Sequence, residues 1–230
     1  MPFFYYDSYY LVLVLPAILI AMFAQFKVNS TFRKYASVVS RRGQTAAEVV
    51  RQILDRNGLH SVSIEHVRGQ LTDHFDPKNN VIRLSDSVYN STSVASIGVA
   101  AHEAGHAVQH AENYLPIRLR NSVLPVANLG SRLAIPIILV GLIMSLEPLV
   151  SVGIILFSAL VVFQLITLPV EFNACRRALA TLGESILDET ELNGAKKVLS
   201  AAAMTYVASA LVSAMQLLRL ILLSGNRRRR

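Results

Sequence analysis

Four apolar stretches, Tyr9 to Phe26, Val123 to Leu146, Leu149 to Leu168 and Ala201 to Leu223, limit what this chain can fold into more than any other feature. Each is about as long as the roughly 20 residues a helix needs to cross the hydrocarbon core of a bilayer. With 53% hydrophobic and only 16% charged residues, the chain is too apolar for an ordinary soluble domain and falls in the membrane class. A buried core helix is the alternative for any one stretch. It is weakest for the middle pair, where Glu147 is the single charge between Leu133 and Leu168. The second stretch carries Arg132 and has Pro125, Pro136 and Pro148 in or beside it, so its start is open. The fourth is rich in small residues, including Ala201, Ala203, Ala208, Ser209 and Ala210, which offer a packing face to a partner membrane protein or a second copy.

The N-terminal region, Met1 to Tyr10, has no Lys or Arg and carries Asp7, so the first stretch reads as a retained anchor rather than a secretion signal. Four spans put residues 27–122 and 169–200 on one side of the membrane, with both termini and the 147–148 turn on the other. The first of these segments holds Lys27, Arg33, Lys34, Arg41, Arg42, Arg118 and Arg120, and the second holds Arg176, Arg177, Lys196 and Lys197. The positive-inside rule therefore makes both cytoplasmic, in a bacterial-type cell membrane. Arg227 to Arg230 oppose this assignment, because they would lie outside. The net charge of +7 comes from these flanks and indicates contact with anionic lipid, with no case for nucleic acid. A single cysteine, Cys175, excludes an internal disulfide.

Segment 27–122 has enough polar chain for a small compact domain. Thr45 and Glu48 form a capping-box pattern ahead of helically spaced apolar residues that end at Gly58, which predicts a helix over 46–57. Residues 62–66, 70–75 and 81–84 have strand character around the turn Asp76-Pro77-Lys78-Asn79-Asn80, giving a β-hairpin or short meander. Ser91, Thr92 and Ser93 can cap a helix from Val94 to Glu112.

That last helix contains His102-Glu103-Ala104-Gly105-His106. His102 and His106 project from one face one turn apart, so both imidazoles can ligate a single zinc ion while Glu103 serves a zinc-activated water as base. Catalytic zinc normally takes a third protein ligand. His110 continues the same face, but three ligands on successive turns span about 12 Å along the axis and converge poorly on one ion. The longer motif with a further Gly and His fails, since Gln109 and Glu112 occupy those places. Glu171, just past the third apolar stretch and two residues after Pro169, is the better candidate; Pro169 fits the first turn of a new helix. The alternative for Glu171 is a glutamate stabilised by that helix's macrodipole.

The runs Leu71-Thr72-Asp73-His74-Phe75-Asp76-Pro77, Val99 to His110 through the pentapeptide, and Leu168-Pro169-Val170-Glu171-Phe172-Asn173 together resemble the YugP-like membrane-bound neutral zinc metallopeptidases. The resemblance extends over essentially the whole chain. It implies a zinc endopeptidase related to the glutamate-zincins, with His102, His106 and Glu171 as ligands and Glu103 catalytic. Related membrane zincins often place an acidic residue one turn after the ligand glutamate to support a zinc histidine. Here that position is Cys175, which leaves the support to Asn173 or to a carboxylate from the hairpin.

The expectation is a mainly α membrane protein: about four transmembrane helices and a small α+β zincin-like catalytic domain with a short β-hairpin and an HExxH helix. Its parts are an anchor at 9–26, a catalytic domain at 27–122, two spans within 123–168, a third-ligand segment at 169–200, a spanning or membrane-associated helix at 201–223 and a basic tail at 224–230. Zinc held by His102, His106 and Glu171 would activate water at the membrane surface, and Glu103 would relay its proton to the leaving amine of a protein or peptide substrate. His74, Arg177 and Tyr206 are candidates for a second oxyanion donor. Each also has a plain structural role open to it: a hairpin hydrogen bond, a lipid-facing charge and a helix-packing hydroxyl. An intramembrane zinc protease would bury the motif in a spanning helix, whereas Val94 to Val108 is short and polar at both ends, and a Leu-Asp-Gly signature is absent. A non-enzymatic metal-binding membrane scaffold would have no use for Glu103, which is not a ligand.

Overall fold

The structure is a computed structural model that describes residues 8–227. The first seven residues of the N-terminal flank, and residues 228–230 of the arginine tail, lie outside the described part. After a π-helical turn at Tyr10–Val14, the elements are α1 (Leu15–Ala36), α2 (Ala46–Arg56), β1 (Ser63–Val67), β2 (His74–Asp76), β3 (Val81–Ser85), α3 (Val94–Ala111), α4 (Leu115–Ile143), α5 (Glu147–Ser185) and α6 (Glu189–Arg227). The π-turn has a local cause. Pro16 has no N–H and crowds the carbonyl four residues back, and the chain just before it closes a wider turn in which Leu15 N–H donates to Tyr10 O.

Among the described residues four helical segments are long and apolar enough to cross a membrane: Tyr10–Ala36, Leu115–Ile143, Glu147–Ser185 and Glu189–Gly225. Each extends past its apolar stretch at one end or both, although Leu115–Ile143 stops short of Leu146. The expectation that Pro169 opens a new helix is corrected, because α5 runs through it without a break. Proline removes one backbone hydrogen bond, whereas breaking the helix beside an apolar stretch would strand several amides, so continuity wins.

The chain forms two compact units. One comprises the chain up to Ala24, Arg118–Leu168 and the chain from Thr205 onward. Its core includes Ala134 and Ile138 of α4, Val150, Phe157 and Val161 of α5, and Leu220 of α6. Here α4 and α5 approach closely at glycine: a Cβ on Gly130 would collide with the Leu156 carbonyl oxygen, and one on Gly153 with Ile138 Cγ1. Large side chains such as Ile143 and Ile155 stay exposed, as expected of surfaces that face lipid.

The other unit comprises Gln25–Ile117 and Pro169–Met204. Its core packs Val49, Val50, Ile53 and Leu54 of α2 with Ile82 and Leu84 of β3, Ile97 and Ala101 of α3, and Leu182 and Leu199. The capping box is present: Thr45 Oγ1 accepts from Glu48 N–H while Glu48 Oε2 accepts from Thr45 N–H. Gly58, at φ +70°, follows the end of α2. Ser93 caps α3 by accepting from Ser96 N–H.

The sheet departs from a simple meander. β2 and β3 form the expected antiparallel hairpin, but β1 pairs parallel with β3, from Ser63 opposite Val81 to Val67 opposite Ser85, giving the order β1-β3-β2. Strand character over 70–75 narrows to His74–Asp76 because the chain between β1 and β2 turns through positive φ at Gly69 and Leu71. Asp73 then fixes the entry to β2 by accepting from Ser85 N–H and the Ser85 hydroxyl. The central strand β3 is buried and β2 is left as a sheet edge.

Candidate metal centre

The centre lies within the second compact unit, where α3 meets the part of α5 that follows Pro169. The crossing depends on small residues. A Cβ on Gly105 would lie 2.9 Å from the Ala174 carbonyl oxygen, so glycine between the two histidines lets the helix backbones approach closely. Ala101 and Ala104 on α3 are also fully buried.

This approach brings together His102, His106 and Glu171, each offering a ligand atom within 4.8 Å of the others. His102 Nε2 is 3.3 Å from Glu171 Oε2, and His106 Nε2 is 3.5 Å from the same oxygen. The imidazoles stand nearly perpendicular with centroids 4.6 Å apart. The Glu171 side chain is 3% exposed, so solvent does little to compensate its charge.

A chain of hydrogen bonds sets the direction in which His106 points its lone pair. Arg177, which can only donate, donates from Nε to Asn173 Oδ1 and from Nη2 to Glu112 Oε2. Asn173 Oδ1 also accepts from Gln109 Nε2, which donates as well to the Val170 carbonyl. Gln109 Oε1 is thereby turned to His106 Nδ1, 3.0 Å away, and accepts a hydrogen bond from its N–H. His106 Nε2 then carries a lone pair facing a carboxylate oxygen, an arrangement that calls for a cation between them. At His102 the outer nitrogen, Nδ1, is 3.4 Å from Cys175 Sγ.

Glu103 lies on α3 between the two histidines and outside their ligand group. Its Oε2 accepts the Phe75 N–H of β2, 3.0 Å away. Burial pushes its carboxyl above the usual carboxylate range, while the imidazoles of His106 and His102 pull it down. His110 is exposed and packs edge-on against Phe75, away from the ligand group. His74 is exposed, with Nδ1 on the Thr72 carbonyl. Both donating sides of Arg177 seen here are engaged by Asn173 and Glu112, and Tyr206 belongs to the first compact unit.

A family model described as "Putative neutral zinc metallopeptidase" matches residues 10–225. The chain belongs to this family. It is also similar to a Bacillus subtilis (strain 168) protein named "Putative membrane protease YugP", with 50% identity over 220 residues covering 95% of this chain and 98% of that protein. No solved structure matches it.

For a member of the neutral zinc metallopeptidase family, the fit of these residues to zinc can be judged from their spacing. Zinc bonds of about 2.0–2.1 Å in a tetrahedron set neighbouring ligand atoms about 3.3–3.4 Å apart. The two nitrogen-to-oxygen separations, 3.3 and 3.5 Å, are close to that edge length. The donor set of two imidazoles and a carboxylate is also one that zinc accepts.

Sequence reasoning missed Gln109 as the partner of His106, and it set Cys175 aside. The signal for Gln109 was its spacing: it is a polar residue three positions after His106 on the same helix, and the structure shows it fully buried. Of the carboxylates in and beside the hairpin, Asp73 is taken by Ser85 and Asp76 by Arg83.

Proposed function

We propose that this protein is a membrane-embedded zinc endopeptidase whose metal is held by His102, His106 and Glu171 and whose general base is Glu103. The observation carrying this reading is the convergence of two imidazole Nε2 atoms on one buried carboxylate oxygen, with a non-ligand carboxylate beside them. When bound, zinc would supply Lewis-acid activation of water and of a peptide carbonyl. Glu103 takes the proton from the attacking water and returns it to the leaving amine nitrogen. Before this step, a substrate in extended conformation would add to the outer edge of β2 as a further strand and displace Glu103 from the Phe75 N–H, leaving the carboxylate free to accept the proton.

The site is read as lying at the membrane surface, because α3 is not one of the candidate spans. Charge bias supports a cytoplasmic face. The direct test is hydrolysis of an unfolded protein by detergent-purified chain: cleavage should disappear on chelation and return with one equivalent of zinc. Cleavage that survives complete removal of metal would sink the proposal.

Gln109 gives a second check. Gln109→Leu removes the acceptor at His106 Nδ1 and should weaken zinc binding by about 10- to 100-fold, while Gln109→Glu, which keeps that acceptor, should recover part of the loss. Competition with a chromophoric chelator reads this directly, and equal affinity in all three proteins would remove Gln109 from the account.

A further inference from the structure

A groove of about 580 Å³ runs between the end of α1 and the start of α6, within the second compact unit. Lys27 and Lys34 line it from α1, Lys196 and Lys197 from α6, and among the described residues no carboxylate lines it. None of these four lysines takes part in an ion pair among the described residues. Among the described residues four arginines of the same unit are paired, Arg41 with Asp188, Arg51 with Asp55, Arg83 with Asp76 and Glu65, and Arg177 with Glu112, while others such as Arg33 and Arg176 are not; what distinguishes the lysines is that four of them line one concavity. Four like charges around one concavity repel one another, and an anion seated among them removes that cost.

The groove has a polar and an apolar character together. Thr31 and Ser200 add hydroxyl donors between the lysines, while Ala201 and Met204 line it where α6 enters its apolar stretch. Met204 is 52% exposed, and Phe26, next to Lys27, is 67% exposed. The helices are held together by close contact: a Cβ on Gly194 would lie 2.8 Å from the Tyr35 ring. The basic lining is therefore carried on a fixed frame beside two apolar helical segments.

We infer that this groove binds the phosphate headgroup of an anionic glycerophospholipid, with the acyl chains running along the Phe26 and Met204 surface. A basic pocket between membrane helices is the setting in which acidic phospholipid headgroups are held. Inorganic phosphate shares the headgroup's charge but has no chains to bury.

The test uses the full chain in neutral detergent at 0.15 M salt, titrated with phosphatidylglycerol, phosphatidylcholine or inorganic phosphate, with occupancy read by native mass spectrometry. Phosphatidylglycerol should bind in preference to phosphatidylcholine. Each lysine near the headgroup contributes about fivefold, so Lys196→Gln/Lys197→Gln should weaken binding roughly 25-fold. An Arg118→Gln/Arg120→Gln protein carries the same charge change elsewhere and should bind as the wild type does. Equal weakening in both variants would overturn the site in favour of diffuse charge. Equal affinity for inorganic phosphate would overturn the lipid assignment, as would equal binding of phosphatidylcholine.

Discussion

Replacing Glu103 with Gln should leave the zinc content of the protein unchanged and lower peptide-bond cleavage by about a thousandfold. The two effects separate because Glu103 is not one of the three convergent side chains. Glutamine keeps the shape of the side chain and still offers an oxygen to the Phe75 N–H, so the contact between α3 and β2 survives. It loses only the capacity to accept and return a proton. Zinc analysis and turnover of a single peptide, measured on the same preparation, would check both halves. Unchanged turnover would assign the base elsewhere and favour a metal-binding scaffold; parallel loss of zinc would give Glu103 a structural role.

Much of the fold is legible where local chemistry decides it. Thr45 and Glu48 announce the start of α2, Gly58 its end, and Ser93 the start of α3, because capping satisfies amides from side chains within a few residues. The apolar stretches announce the long helices, because length and composition set whether a helix can cross a bilayer. Helix ends are less legible. Pro169 reads locally as a beginning, yet it lies inside α5, where the backbone on both sides has no better way to satisfy its hydrogen bonds. The parallel pairing of β1 with β3 is also hidden, since strand pattern records which residues face the core but not which neighbour a strand chooses.

At the site, the histidines are legible because helical periodicity alone puts them on one face. His106 is supported from three residues away by Gln109, but the contacts that orient Gln109 and the group beside His102 come from sequence separations of 61 to 73 residues, as in Gln109 with Val170, Gln109 with Asn173 and His102 with Cys175. Nothing in a single sequence marks such pairs until the crossing of α3 and α5 is known. Gly105 shows the same limit. Its need for glycine comes from the Ala174 carbonyl, a neighbour far along the chain, and not from a turn.

Glu171→Ala tests that crossing most directly and should weaken zinc binding by at least about a hundredfold, since loss of a group supporting a ligand already costs about 10- to 100-fold. Both histidine Nε2 atoms face the same Glu171 oxygen, so the substitution removes the third donor and the negative charge that holds a dication between the rings. The other nearby donors are poor substitutes. His110 is packed against Phe75, and Glu112, which follows the end of α3, is exposed and in a 2.6 Å ion pair with Arg177. The measurement is zinc per chain after dialysis against a weak chelator, with thermal unfolding in detergent to show that the variant is folded. Zinc retained at the wild-type level by folded Glu171→Ala would mean that a different residue completes the site, and Glu171→Asp would then be expected to change nothing. If Glu171 is the ligand, Glu171→Asp keeps the charge but shortens the reach, so its affinity should fall between wild type and alanine.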